Sequence, residues 1–296
     1  MKKELTIFTP TYNRADLLPK AYNSLKNQSD LDFIWLIIDD GSNDDTEKLV
    51  ESWKEENKID IRYYKKKNGG KHTAYNYALN KITTKYILIA LDSDDYLVNN
   101  AVELINNDIK KLKDDEVGIV TLCKSEKQSK NILKRVYDTK KLNHRSLKWA
   151  LNNNQFDAEC LFIFKTEYIT KFKYPEYKGE RFFTEAYTYY QMEGPMQWTN
   201  AEICIREYQE GGLTKNMLKL FYKNPKSWYE YNKIRMIENK SYKKRIKYMI
   251  YYIAFGIIGK EKIFCLKMKN NFKILILFPF GFLGYIYIIA KNKMKG

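Results

Sequence analysis

Four polar clusters punctuate the first part of the chain, and their side chains suit one kind of ligand. They are Thr9-Pro10-Thr11-Tyr12-Asn13-Arg14, Asp39-Asp40-Gly41-Ser42, Asn68-Gly69-Gly70-Lys71 and Asp92-Ser93-Asp94-Asp95. The Asp92-x-Asp94 pair offers hard oxygen ligands, of the kind Mg²⁺ or Mn²⁺ takes while it keeps waters and bridges phosphates. A carboxylate such as Asp39 can accept the N3–H of a uracil. Gly69-Gly70 lets backbone approach a ligand closely, and Lys71 supplies a cation beside it. Together these groups describe a nucleotide diphosphate site that uses a metal. Singly they are weak: a lone Asp-x-Asp is most often a solvated turn or helix cap, and a Gly pair most often a plain turn.

What makes them one site is the elements that must carry them. Leu5–Thr9, Ile34–Asp39, Asp60–Tyr64, Tyr86–Leu91 and Val117–Cys123 read as strands. Ala15–Asn27, Asp44–Glu56, His72–Ile82 and Ala101–Leu112 carry apolar residues at helical spacing between them. This alternation predicts an α/β fold with a mostly parallel sheet and helices on both faces. In such a sheet ligands bind at the carboxyl ends of the strands, and each of the four clusters follows or ends one of the first four strands. Leu161–Phe164 and Ile203–Arg206 read as further strands around a polar, aromatic-rich stretch.

Composition bounds the rest. The chain has 296 residues, 44% hydrophobic and 15% aromatic, with 13 Gly and 6 Pro, which excludes a disordered or collagen-like polymer. The net charge of +16 is unevenly placed: residues 215–296 hold 19 basic and 3 acidic side chains, so residues 1–214 balance at 33 of each. Two regions follow, a neutral α/β domain over 1–214 and a basic helical segment over 215–296. The segment holds two apolar runs, Tyr248–Gly259 and Ile274–Ala290, flanked by Lys243, Lys244, Lys247, Lys267, Lys269, Lys273, Lys291, Lys293 and Lys295. The first run is too short to span a bilayer and the second is at the lower limit. Lysines beside apolar Tyr- and Phe-containing runs favour an anionic membrane surface, held in a peripheral or monotopic way. Four scattered cysteines with no CxxC pair speak against a zinc site, and His72 and His144 read as a helix-start surface residue and a polar-stretch residue. With no signal-peptide core after Met1-Lys2-Lys3-Glu4, the main domain is expected in the cytoplasm.

In this order and spacing, PTYNR, IIDDGSNDDT, NGGKHTAYN and LDSDD resemble the family-two glycosyltransferases, inverting enzymes with a GT-A fold. The resemblance covers residues 4–125 strongly and thins towards 214. It implies a Rossmann-like GT-A sheet, a nucleotide-sugar donor (usually a UDP-sugar) and Mn²⁺ or Mg²⁺. It implies that Pro10, Tyr12, Arg14, Asp39, Lys71 and Asp92 contact the nucleotide sugar and that Asp94 holds the metal. The general base falls in Gly179–Tyr187: Glu185 is the first candidate, although Ala186 stands where many relatives have Asp, and Glu180 is the second. Tyr208–Thr214 resembles the family's closing loop. The QxxRW motif of processive synthases is absent, which points to addition of a single sugar. The basic, apolar tail fits a lipid-linked or oligosaccharide acceptor in surface polysaccharide synthesis at the cytoplasmic face of the membrane.

Other readings meet specific obstacles. A dinucleotide oxidoreductase would need GxGxxG after the first strand, where this chain has no glycine. A sugar nucleotidyltransferase typically opens with a Gly-rich, Arg-containing loop, also missing. A membrane-docked scaffold without activity would not need Asp39, Asp92, Asp94 and Glu185. The apolar runs within the basic tail favour lipid over nucleic acid as its partner.

Overall fold

The computed structural model describes residues 3–125, 138–155, 159–206, 217–261 and 271–293. They fall into two compact units, Met1–Lys173 with Met192–Glu210, and Tyr174–Gln191 with Gly211–Gly296.

In the first unit the strands are β1 (Leu5–Thr11), β2 (Phe33–Asp39), β3 (Asp60–Lys65), β4 (Tyr86–Ile89), β5 (Asp95–Leu97), β6 (Gly118–Ser125), β7 (Cys160–Lys165) and β8 (Met196–Arg206). Its helices are α1 (Leu18–Lys26), α2 (Thr46–Glu56), α3 (Lys71–Leu79), α4 (Ala101–Ile109), α5 (Thr139–Leu142), α6 (Leu147–Asn152) and α7 (Thr166–Ile169). The strands form one sheet in the order β3-β2-β1-β4-β7-β6-β8-β5. The four strands that carry the polar clusters are parallel neighbours, as the alternation predicts. The other half is mixed: β7 inserts between β4 and β6 and runs antiparallel to both, and β5 is antiparallel to β8.

Burial explains the regular half. Every residue of β1 and β2 is buried, which is what a strand covered on both faces requires. On one face Tyr22 of α1, Trp35 of β2 and Trp53 of α2 stack, with Tyr22 and Trp53 ring centroids 4.3 Å apart. The Trp35 indole N–H donates to Thr9 Oγ1 at 2.9 Å, so this large ring is buried without an unpaired donor.

In the second unit a short helix, α8 (Ala186–Tyr189), accompanies α9 (Met217–Lys223), α10 (Pro225–Glu238), α11 (Tyr242–Ile258) and α12 (Asn271–Lys293). α11 packs against α10 and α12 around Trp228, Tyr229, Met236, Tyr252, Ile253 and Phe255. The apolar run Tyr248–Gly259 is therefore mostly core of this unit.

Candidate functional site

The exits of β1 and β2 are laced together by backbone and short polar side chains. Thr11 and Asp39 are partners across the two strands, and the Asp40 N–H donates to the Thr11 carbonyl at 2.8 Å. Beyond the strands the Asn13 N–H donates to Ser42 Oγ at 2.8 Å, and the Asn43 N–H to Asn13 Oδ1 at 2.8 Å. Asn13 has φ of 50°, a left-handed conformation that Asn tolerates better than most residues. Pro10 is buried within β1, whereas Tyr12 and Arg14 stand exposed beyond its end.

The two carboxylates that end β2 do different work. Asp39 has no exposed surface; its Oδ1 accepts the Ser42 N–H at 2.7 Å and its Oδ2 the Tyr63 hydroxyl at 2.5 Å. Burial and then this carboxylate push the Tyr63 hydroxyl above its ordinary pKa. Asp40 clamps the glycine loop instead. Its Oδ1 accepts Lys66 Nζ at 2.7 Å and the Gly69 N–H at 3.0 Å, and its Oδ2 accepts the Gly70 N–H at 2.6 Å. Gly70 has φ of 95°, which glycine alone adopts without strain, and the next residue begins α3. Nothing in the local sequence distinguishes Asp40 from Asp39; its partners lie 26 to 30 residues away.

The third part of the site is the turn after β4. Ala90 has φ of 59°, which redirects the chain into Asp92-Ser93-Asp94-Asp95 while the Leu91 N–H still donates to Phe8. Lys71, first residue of α3, places Nζ 2.7 Å from Asp92 Oδ1 and 3.0 Å from Oδ2. Burial first, then the charge of Asp92, holds Asp94 above the ordinary carboxylate range, and Arg14 and Lys71 pull it down. Asp95 turns inward: burial pushes its pKa to about 7 against the opposing Arg206 guanidinium, whose Nε lies 3.3 Å from Asp95 Oδ2. Arg206 also donates to Glu159 and to the Cys160 carbonyl, tying β5 to β8 and β7. Sequence reasoning missed β5 and Arg206, and the charged pair Asp95/Arg206 at two strand ends is the signal that was available.

Arg14, Lys71, Asp92 and Asp94 thus gather at the edge that the four clusters predict. Among the described residues no group of three or more His, Cys, Asp or Glu forms a metal cluster. Asp92 and Asp94 nevertheless fit Mg²⁺ or Mn²⁺, which takes one or two carboxylates when phosphates and waters supply the other ligands. The destabilised charge on half-buried Asp94 is what a cation there would relieve.

The second unit holds both base candidates. Glu180 is buried, and its carboxylate accepts the Lys226 and Ser227 N–H groups at 2.8 Å each and the Ser227 hydroxyl at 2.6 Å. It satisfies orphan donors at the start of α10, so its lone pairs serve structure. Glu185 is exposed at the start of α8, with its carbonyl accepting from Thr188. His72 is buried, not on the surface as its place in the sequence suggested. The stretch Tyr208–Thr214 lies outside the described residues.

The family model for glycosyl transferase family 2 matches residues 6–172. An uncharacterized glycosyltransferase of Mycoplasma genitalium is 34% identical over 118 residues, 38% of this chain and 40% of the relative. A GalNAc(5)-diNAcBac-PP-undecaprenol beta-1,3-glucosyltransferase of Campylobacter jejuni is 25% identical over 293 residues, 92% of this chain and 89% of the relative. The first relatives matched are thus covered over less than half of their length, from 14% to 40%. In fold, the chain is similar to Staphylococcus aureus TarS 1–349 in complex with UDP-GlcNAc, with a TM-score of 0.60 at 16% identity over 98% of this chain and 80% of that one.

Proposed function

The chain belongs to glycosyl transferase family 2, and from that premise we propose that it moves a single sugar, with inversion, from a nucleotide sugar to a hydroxyl of a saccharide acceptor. The observation that carries this is the gathering of Arg14, Lys71, Asp92 and Asp94 at the carboxyl edge of the parallel strands. Two cations and two carboxylates there suit a diphosphate and its counter-ion. A UDP-sugar is the proposed donor, supported by the UDP-GlcNAc bound to the TarS relative in fold. A lipid-linked acceptor is proposed because the Campylobacter relative is named for a PP-undecaprenol substrate and aligns over nearly its whole length.

Each residue has a part in this reading. Pro10 and Tyr12 border the nucleoside, and Asp39, fixed by Ser42 and Tyr63, offers its remaining acceptor capacity to the base. Arg14 and Lys71 face the diphosphate, with Asp92 beside ribose and diphosphate. Asp94, with Asp92, would hold Mn²⁺ or Mg²⁺, which offsets negative charge on a leaving diphosphate. The acceptor oxygen bonds to the anomeric carbon as the bond to the diphosphate oxygen breaks, and the hydroxyl proton passes to Glu185. The proposed location is the cytoplasmic face of the membrane, where a lipid-linked acceptor is reached.

The deciding experiment is calorimetric titration of UDP with and without Mn²⁺, on the wild type and on Asp94→Ala. Metal-dependent binding that disappears in the variant is the expected result. Binding that ignores both metal and substitution overturns the metal assignment, and no binding of UDP or of any other nucleotide overturns the donor site.

A further inference from the structure

α12 offers two unlike faces. At 100° per residue, exposed Phe272, Leu275, Ile276, Phe280, Leu283 and Ile286 fall within an arc of roughly 140° that holds no charged residue between Phe272 and Ile286. On the opposite face Ile274, Gly281 and Ile288 are buried against the unit. A side chain at Gly281 would collide with Ile253 of α11, and Gly284 lies against Ala254 and Ile250 of the same helix. The window Phe272–Asn292 has a mean hydropathy of 2.0, and only 17% of it is buried.

Charge decides what covers the open face. Lys273 and Lys291, near opposite ends of α12, lie on the same flank of the arc, and the Lys291 ammonium donates to the Tyr287 hydroxyl at 2.8 Å. Lys243 and Lys247 are exposed on α11. The region from 215 onward holds 19 basic and 3 acidic side chains. Pairing two copies of so basic a face would set like charges together, whereas an anionic lipid surface neutralises them.

The neighbours of α12 decide its orientation. α11, which exposes lysines, packs along it, and α10, which carries Lys226, Glu230 and Lys233, packs on α11. A helix crossing the bilayer would carry this charged layer into hydrocarbon at high cost. A helix lying in the interface immerses only its apolar arc.

We infer that α12 is an in-plane membrane helix, with its Phe272–Ile286 arc sunk into an anionic leaflet and α11 and α10 outside it. This deepens the membrane part of the proposed function and is independent of the nucleotide site. The test uses the full chain floated with intact phosphatidylcholine vesicles, with and without phosphatidylglycerol. Binding should rise roughly tenfold or more with the anionic lipid and be lost in Leu283→Glu and in Phe280→Glu, while UDP titration of both variants stays as in the wild type. An impermeant amine reagent added outside the vesicles should modify both Lys273 and Lys291, read by mass spectrometry. Protection of one of the two marks a crossing helix and overturns the inference. So does vesicle binding that survives both substitutions, or a dimer in lipid-free solution that Leu283→Glu dissociates without changing vesicle binding. If UDP binding fails in the wild type but the vesicle results hold, the donor reading falls and the membrane face stands.

Discussion

Lys71 and Asp92 form an ion pair, Nζ to Oδ1 2.7 Å, that joins the first residue of α3 to the turn after β4. Both side chains are more than a third exposed or close to it, at 42% and 34%, so the pair adds little to stability. In the proposed reading its weight falls on ligand binding, because Lys71 is one of two cations acting on Asp94. Lys71→Ala is expected to leave the unfolding midpoint within a few degrees, a change of at most about 1 kcal/mol. UDP affinity should fall about tenfold, and Lys71→Arg should restore part of it. Titration beside a thermal melt separates the two effects; an unchanged affinity would remove Lys71 from the site.

Asp40 behaves oppositely. It is 4% exposed and accepts from Lys66, Gly69 and Gly70. Asp40→Ala leaves a half-buried ammonium and two amides without that partner, a loss of up to roughly 3–5 kcal/mol, the range for breaking a buried pair. Denaturant unfolding should show that loss. Asp40→Asn keeps an acceptor but removes the charge, and its loss should be smaller. Equal stability of the alanine variant and the wild type would sink the clamp.

These two carboxylates show how far the sequence could be read. The four parallel strands were legible because β2 is apolar up to Asp39 and short strand patterns alternate with helical ones, and the helices between them because their buried residues recur on one face. The edge that carries the site followed from those elements. What escaped depended on partners far along the chain. β7 inserts between β4 and β6, which no local pattern announces. β5 is three residues long inside the acidic motif, and the start of β8 is masked by Thr199 and Asn200. The division of labour between Asp39 and Asp40, like the capping by Glu180, rests on hydrogen bonds across 24 to 47 residues. The boundary near residue 214 followed a change in composition, whereas Tyr174–Gln191 packs with the C-terminal helices through contacts such as the Arg181 N–H to Asn224 Oδ1 at 2.8 Å.

Glu180→Gln tests that capping. The amide keeps the acceptor oxygen but loses the charge beside the positive end of α10, where anions are favoured. A loss of about 1–2 kcal/mol is expected in unfolding, with UDP affinity unchanged and turnover per folded molecule preserved. A variant that folds as well as the wild type yet loses turnover would return Glu180 to the chemistry.

Glu185→Gln makes the complementary case. Glu185 is exposed, and the bond that fixes the start of α8 runs through its carbonyl, which the substitution leaves in place. As at most exposed positions, the substitution is expected to change stability by no more than about 0.5 kcal/mol. A general base typically contributes about 10²–10⁴-fold, so release of UDP from a UDP-sugar panel, supplied with a lipid-linked saccharide extract, should fall by that factor. UDP affinity should stay within about twofold, because the amide removes a proton acceptor needed after the donor is bound. Undiminished release would move the base to another acidic residue, whereas lost release accompanied by lost UDP affinity would make Glu185 a donor-binding residue.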